Sequence, residues 1–254
     1  MNKLNSFFRE KLKKLKDFYN YSIIFFFSNF LNKSLLHVIG DSHAISFEGD
    51  PLFVWHHLGP ATAHNLKNKN SKTGSNIKLF TIINNLISKK DIVILNFGEI
   101  DCRIHIYYQY HKNKKKISIS KLIENTISNY GEVLNKVKKK NINFFVLSIA
   151  PASNQDNFYD YPFYGSKEIR SKIHKEFNEK LKRYCKIKNY NFIDIYPKVS
   201  DKKGLILKKY KRDEIHLNKN ILPLVKKELR EHGVNLNKFH RVRFLIHPVK
   251  DYKK

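Results

Sequence analysis

Five short apolar runs alternate along this chain with longer stretches of helical periodicity, and that alternation limits the fold more than any other feature. The runs are Leu35–Ile39, Pro51–His56, Asp91–Phe97, Asn143–Ile149 and Tyr190–Ile195. They are strand-length and rich in Ile, Val, Leu and Phe, as buried strands are. Between and after them, apolar residues recur at helical spacing in Asn76–Lys89, Ile119–Lys140, Ser166–Lys188 and Asn218–His232. Strand–helix alternation predicts a parallel sheet covered by helices on both faces. Local signals agree. Ser166 is placed as an N-cap with Glu168 in the first turn, the third helical stretch. Lys136, Lys138, Lys139 and Lys140 close the second, and Gly233 follows the last. With 254 residues, 41% of them hydrophobic, there is enough material for one sizeable core.

The ends read differently. Residues 1–33 begin as a basic amphipathic helix, with Leu4, Phe7, Phe8, Leu12, Leu15, Phe18 and Tyr19 on one face. The apolar run over 21–31 is shorter than the roughly 20 residues a membrane span needs. The exit Asn32-Lys33-Ser34 is no small-residue cleavage site, so a signal peptide is not expected. Two uses stay open for the helix: packing on the domain or a partner, or lying on an anionic membrane surface. The expected organisation is an N-terminal helix over 1–33, an α/β domain over 34–233 and a basic tail over 234–254. A cytoplasmic location, peripheral to the membrane if the helix binds one, is the matching expectation.

The formal net charge is +27, from 49 Lys and Arg against 22 Asp and Glu. Such a field favours anionic partners. The charges are scattered, however, and no helix-turn-helix, zinc or RNA-binding signature accompanies them, so nucleic acid is not an expected partner. The two cysteines, Cys102 and Cys185, have no metal-ligand or CxxC spacing.

Chemistry concentrates in four islands: Gly40-Asp41-Ser42-His43, His57-Leu58-Gly59-Pro60, Gly98-Glu99-Ile100-Asp101-Cys102-Arg103 and Asp213-Glu214-Ile215-His216. The first three follow predicted strands, so a parallel sheet brings them to one rim. A serine hydroxyl needs a base to become a nucleophile, and His216 can serve Ser42 in that role. Asp213, three residues before it, can turn back to hold the other ring nitrogen. The backbone N–H groups of Ser42 and Gly59 can converge on an oxyanion. Duller readings stand beside these. Asp41 or Ser42 can be only a helix cap, Gly59-Pro60 only a turn, and Asp213 with His216 only a turn and a cap. Arg103 can be tied in an ion pair to Glu99 or Asp101. Cys102 reads as packing.

In order and spacing the islands resemble the SGNH/GDSL hydrolase superfamily, across about residues 35–233. Gly40-Asp41-Ser42 matches its first block, Gly59 its second, Gly98-x-x-Asp101 partly its third and Asp213-x-x-His216 its last. The resemblance implies a flavodoxin-like, three-layer α/β/α fold with a five-stranded parallel sheet. It implies Ser42, His216 and Asp213 as catalytic residues without a metal or other cofactor. Two positions depart from the pattern. Ile100 stands where the family has an Asn that donates to the oxyanion, which leaves Arg103 as the candidate for that donor. His43 stands where Leu is more usual. The Gly-Asp-Ser-His form with Gly-Glu-Ile-Asp-Cys-Arg is similar to members associated with surface-polysaccharide biosynthesis. That likeness implies O-acyl esterase or acetyltransferase action on a glycan or its precursor. Glu99 and Asp101 are candidate substrate contacts. So are Tyr159 and Tyr161, in an aromatic stretch after the fourth strand that suits sugar rings. The competing expectation is a non-catalytic binder of glycan or membrane surfaces on the same fold.

Overall fold

A computed structural model describes Tyr19, Ser22, Ile23, Phe26 and residues 33–156 and 163–242. The helix expected over 1–20 falls outside the described residues except at Tyr19, and Tyr159 and Tyr161 fall outside them too.

Five parallel strands form the sheet: β1 (Leu36–Gly40), β2 (Phe53–His57), β3 (Ile92–Asn96), β4 (Asn143–Leu147) and β5 (Asn191–Ile193), in the order β2-β1-β3-β4-β5. The order reverses beside β1, which places the ends of β1 and β3 at the crevice where open α/β sheets bind ligands. β1 and β3 are buried throughout. Their side chains alternate between two cores. Ile39, Val93 and Leu95 face α1 (Ser75–Leu86), α3 (Ile119–Lys138) and α4 (Lys167–Ile187). Leu36, Val38, Ile92 and Ile94 face the 3-10 turn Ser42–Phe47 and α5 (Leu222–Glu231). A strand buried on both faces must be apolar at nearly every position, which is why these runs read as continuous rather than alternating.

The helices end where their caps say. Ser118 and Ser166 cap α3 and α4 by accepting from Lys121 N and Ile169 N. Gly233, at φ +78°, follows α5. The expected elements are present with ends moved by a few residues. One region was not anticipated: after β3 the chain makes a π-helical turn, Asp101–His105, and runs on as α2 (Ile106–Lys112). A π turn is rare and is often found at functional sites. In the C-terminal stretch, the first described residues pack onto the sheet's starting edge. Ser34 and Phe239 form a parallel bridge, His240 N donates to Ser34 O, and Val242 N donates to Pro51 O. Among the described residues, no helix is long and apolar enough to cross a membrane.

Candidate active site

Glycine at position 40 is a packing requirement. A Cβ there would lie 2.6 Å from the carbonyl oxygen of Asn96 on β3. Without one, β1 ends flush against β3, and the chain turns at once into the 3-10 helix that begins with Ser42. Asp41 caps that turn, its Oδ1 accepting from His43 N at 2.9 Å. The cap reading of Asp41 is therefore correct, and the cap sets the position of Ser42.

His216 arrives from the far end of the sequence. Its loop is held by Arg212 N to His216 O at 2.9 Å and by Asn218 N to Tyr210 O at 2.7 Å. Buried Ser46, on the same turn as Ser42, donates to Leu217 O at 2.7 Å. The Ser42 turn and the histidine loop are thus stitched together one residue from His216. The result is a linear relay. His216 Nε2 lies 2.9 Å from Ser42 Oγ, and His216 Nδ1 lies 2.8 Å from Asp213 Oδ2. Asp213 Oδ1 also accepts from the backbone N–H groups of Ile215 and His216, at 3.0 and 2.8 Å. Partial burial would raise the Asp213 carboxyl. The His216 ring and the two backbone donors outweigh it and hold the pKa at about 2. An ionised Asp213 fixes the ring with a proton on Nδ1 and leaves Nε2 free to accept from Ser42.

The second island supplies a backbone donor. Leu58 N donates to Gly40 O at 2.9 Å, which continues the β1–β2 pairing past its end and brings Gly59 alongside the Ser42 turn. Gly59 sits at φ +87°, a left-handed conformation that strains any residue with a Cβ. Among the described residues, the N–H groups of Ser42 and Gly59 have no backbone acceptor.

The third island is engaged within the protein. Asp101 accepts from Ala63 N at 2.7 Å and His64 N at 3.1 Å, so it ties down the loop that follows Gly59-Pro60. Burial drives its pKa up to about 7 against those donors. Glu99 holds Arg103 Nε at 2.8 Å and lies 2.8 Å from His43 Nε2. Burial lowers the pKa of His43, which favours a neutral ring beside the Glu99 carboxylate. Burial opposes ionisation of Glu99, but the Arg103 charge and His43 more than offset it and keep the carboxyl far below its usual range. The ion-pair reading of Arg103 therefore holds with Glu99 as partner, and Arg103 remains buried at the rim. Ile100 is buried and carries no donor. Cys102 is fully buried in the core beneath α3 and α4, and burial pushes its thiol well up.

The sequence reading missed what His43 does. Its ring packs on His216, with centroids 4.7 Å apart and planes tilted by 45°. The departure from Leu at this position was visible, but the contact depends on residues 173 positions apart. His174 was missed as well. It lies in electrostatic reach of Glu99, donates from Nδ1 to Ala150 O at 2.9 Å, and burial lowers its pKa to about 4. Nothing in the sequence around it marks it. Among the described residues, no three His, Cys, Asp or Glu side chains are grouped as metal ligands.

No protein-family model matches the chain. No curated protein matches it either. Solved structures do. An inferred acylhydrolase from Bacteroides fragilis aligns at a TM-score of 0.57 and 17% identity, over 82% of this chain and 88% of its own. A GDSL-like lipase from Bacteroides thetaiotaomicron aligns at 0.56 and 15%, over 82% and 90%. At these identities the likeness speaks for the fold, and over most of its length this chain has the three-layer α/β/α fold of the GDSL-type hydrolases.

Proposed function

We propose that the protein is a serine-dependent ester hydrolase or acyltransferase of SGNH type, acting on O-acyl groups of a glycan or its precursor. The observation that carries the reading is the Ser42–His216–Asp213 relay, with both contacts at hydrogen-bond distance and assembled from opposite ends of the domain.

The chemistry follows from that order. His216 Nε2 takes the Ser42 proton as Oγ adds to the ester carbonyl, and Asp213 faces the imidazolium that forms. The N–H groups of Ser42 and Gly59 receive the oxyanion. As the tetrahedral adduct collapses, the C–O bond to the leaving alcohol breaks and His216 returns its proton to that oxygen. An acyl-Ser42 ester is left. Water, deprotonated by His216, then releases the acid, or a glycan hydroxyl deprotonated in the same way takes the acyl group. Neither route needs a redox partner. The third oxyanion donor falls to Arg103 in this scheme, since Ile100 has none. One such donor contributes about 2.7–4 kcal/mol to the transition state in a serine hydrolase, so a site lacking it would be slow. The glycan preference is supported by the likeness of the Gly-Asp-Ser-His and Gly-Glu-Ile-Asp-Cys-Arg blocks to polysaccharide-associated members.

The test is covalent labelling with a fluorophosphonate, which traps an activated serine. Wild type is expected to label and Ser42→Ala is not. Equal and negligible labelling of both proteins refutes the nucleophile. Release of acetate from a panel of acetylated sugars then decides the substrate class.

A further inference from the structure

A cleft of about 510 Å³ opens beside the proposed site, between the loop following Gly59, the π turn, α2 and α3. Neither Ser42 nor His216 lines it, so it is not the reaction centre itself. It begins one residue from Gly59, at Pro60, and its floor includes Asp101 of the third island. Its volume is that of a pocket for a small molecule.

Its lining is unusual for this chain. Among the described residues, no Lys or Arg lines the cleft. The single acidic side chain, Asp101, has both oxygens committed, one to Ala63 N and one to His64 N. Two imidazoles lie there, and burial lowers the pKa of both His64 and His105. At neutral pH both rings are uncharged; the acceptor nitrogen of His64 is already met by Asn129 Nδ2 at 3.2 Å, so His105 is the imidazole that offers both a donor and an acceptor to the cleft. His105, Gln109 and Asn125 line the space with side chains that have no hydrogen-bond partner among the described residues. Leu66, Ile106 and Leu122 supply apolar surface between them. Paired donors and acceptors around apolar patches match a ring bearing hydroxyls and C–H faces. They offer nothing to a phosphate or a carboxylate, which the rest of this basic surface would attract.

We propose that this cleft is the subsite for an uncharged saccharide unit of the substrate, a proposal that rests on the Ser42 reading for its link to catalysis. A sugar seated there would run past Pro60 toward the Gly59 N–H.

Binding can be measured without turnover. The full chain is titrated with glucose, galactose and N-acetylglucosamine, and separately with glucuronate and glucose 6-phosphate, while the methyl resonances of Leu66, Ile106 and Leu122 are followed by NMR. At least one neutral sugar is expected to shift those signals, and the charged sugars are not. Gln109→Ala and Asn125→Ala should each weaken that binding about three- to tenfold, the worth of one hydrogen bond, with thermal unfolding measured on each variant to verify its fold. Equal or stronger shifts with the charged sugars overturn the proposal. So does the absence of cleft shifts with every neutral probe up to about 100 mM, where even a weak subsite fills. If the shifts appear but wild-type Ser42 fails to label with fluorophosphonate, the cleft stands and the serine reading falls.

Discussion

Acid should weaken this protein through a pair of histidines buried in β1 and β2, and the size of the effect can be worked from the fold. His37 on β1 and His56 on β2 stack with ring centroids 5.2 Å apart and share a contact of 2.9 Å from His37 Nδ1 to His56 Nε2. Both are buried, and Asp91 Oδ2 stands 3.8 Å from His37 Nε2. That carboxylate is already occupied by Leu35 N and by Ser88 N and Oγ. Burial lowers the His37 pKa from 6.5 to about 3 and puts that of His56 well below 6.5. Above pH 6.5 both rings are neutral in either state, and the pair leaves stability independent of pH. Below it the unfolded chain takes up protons that the folded chain refuses, so stability falls as pH drops toward the folded value. For His37 the full difference is about 3.5 pH units, or about 5 kcal/mol, and about 2 kcal/mol of it is lost already at pH 5. His56 adds to this. Against a total stability of about 5–15 kcal/mol for a typical domain, that loss is large. The perturbation is the double variant His37→Leu/His56→Leu, which replaces both partners with apolar side chains and leaves no orphaned polar atom. Urea unfolding at pH 8 and pH 5 gives the two stabilities. The variant should lose at least about 2 kcal/mol less than wild type between those pH values. Buried His43 and His174 are common to both proteins and cancel in the comparison. An equal loss in wild type and variant would refute the burial argument.

The site yields sharper kinetic tests. Asp213→Asn keeps the shape of the orienting group and removes its charge, so kcat should fall by about 10³-fold or more with little change in KM, read with an activated ester; a change below tenfold would mean that His216 does not depend on Asp213. Gly40→Ala places a methyl 2.6 Å from Asn96 O. It should cost about 1–3 kcal/mol in urea unfolding and slow fluorophosphonate labelling by displacing Ser42. Glu99→Gln removes the carboxylate that pairs with buried Arg103. Breaking such a pair costs about 3–5 kcal/mol, so the variant should melt well below wild type, and an unchanged melting temperature would show that Arg103 finds another partner.

Much of the fold was legible because the sheet is doubly covered. A strand such as Ile92–Asn96, apolar on both faces, cannot be mistaken for a loop, and Ser166 announces α4 through its cap. The four islands were legible for the same reason, since the topology alone carries loops after parallel strands to one rim. The π turn and α2 escaped because Asp101–Lys112 mixes charged, aromatic and apolar residues without a 3.6-residue period. Asp101 escaped for a different reason. Its charge suggests a ligand contact, but its two backbone donors at Ala63 and His64 exist only once the loop after Gly59 has folded over it. Sequence spacing carries no information about such a non-local cap.

One of the two departures from the SGNH pattern, His43, joins a cluster with the residue that precedes the other. His43 replaces the more usual Leu on the turn after β1, and Glu99 precedes Ile100 in the block where an Asn is expected. In the folded chain these positions touch: His43 lies between the His216 ring and the Glu99 carboxylate, and Glu99 is anchored by Arg103. A Leu at position 43 would leave Glu99 with one partner fewer in a buried setting, where an undercompensated carboxylate is costly. His43, Glu99 and Arg103 therefore form one buried electrostatic unit. Ile100 carries no donor, and the same turn of chain holds a buried, ionised Glu99–Arg103 pair. The proposed serine mechanism has to account for its rate with that pair in place of the amide.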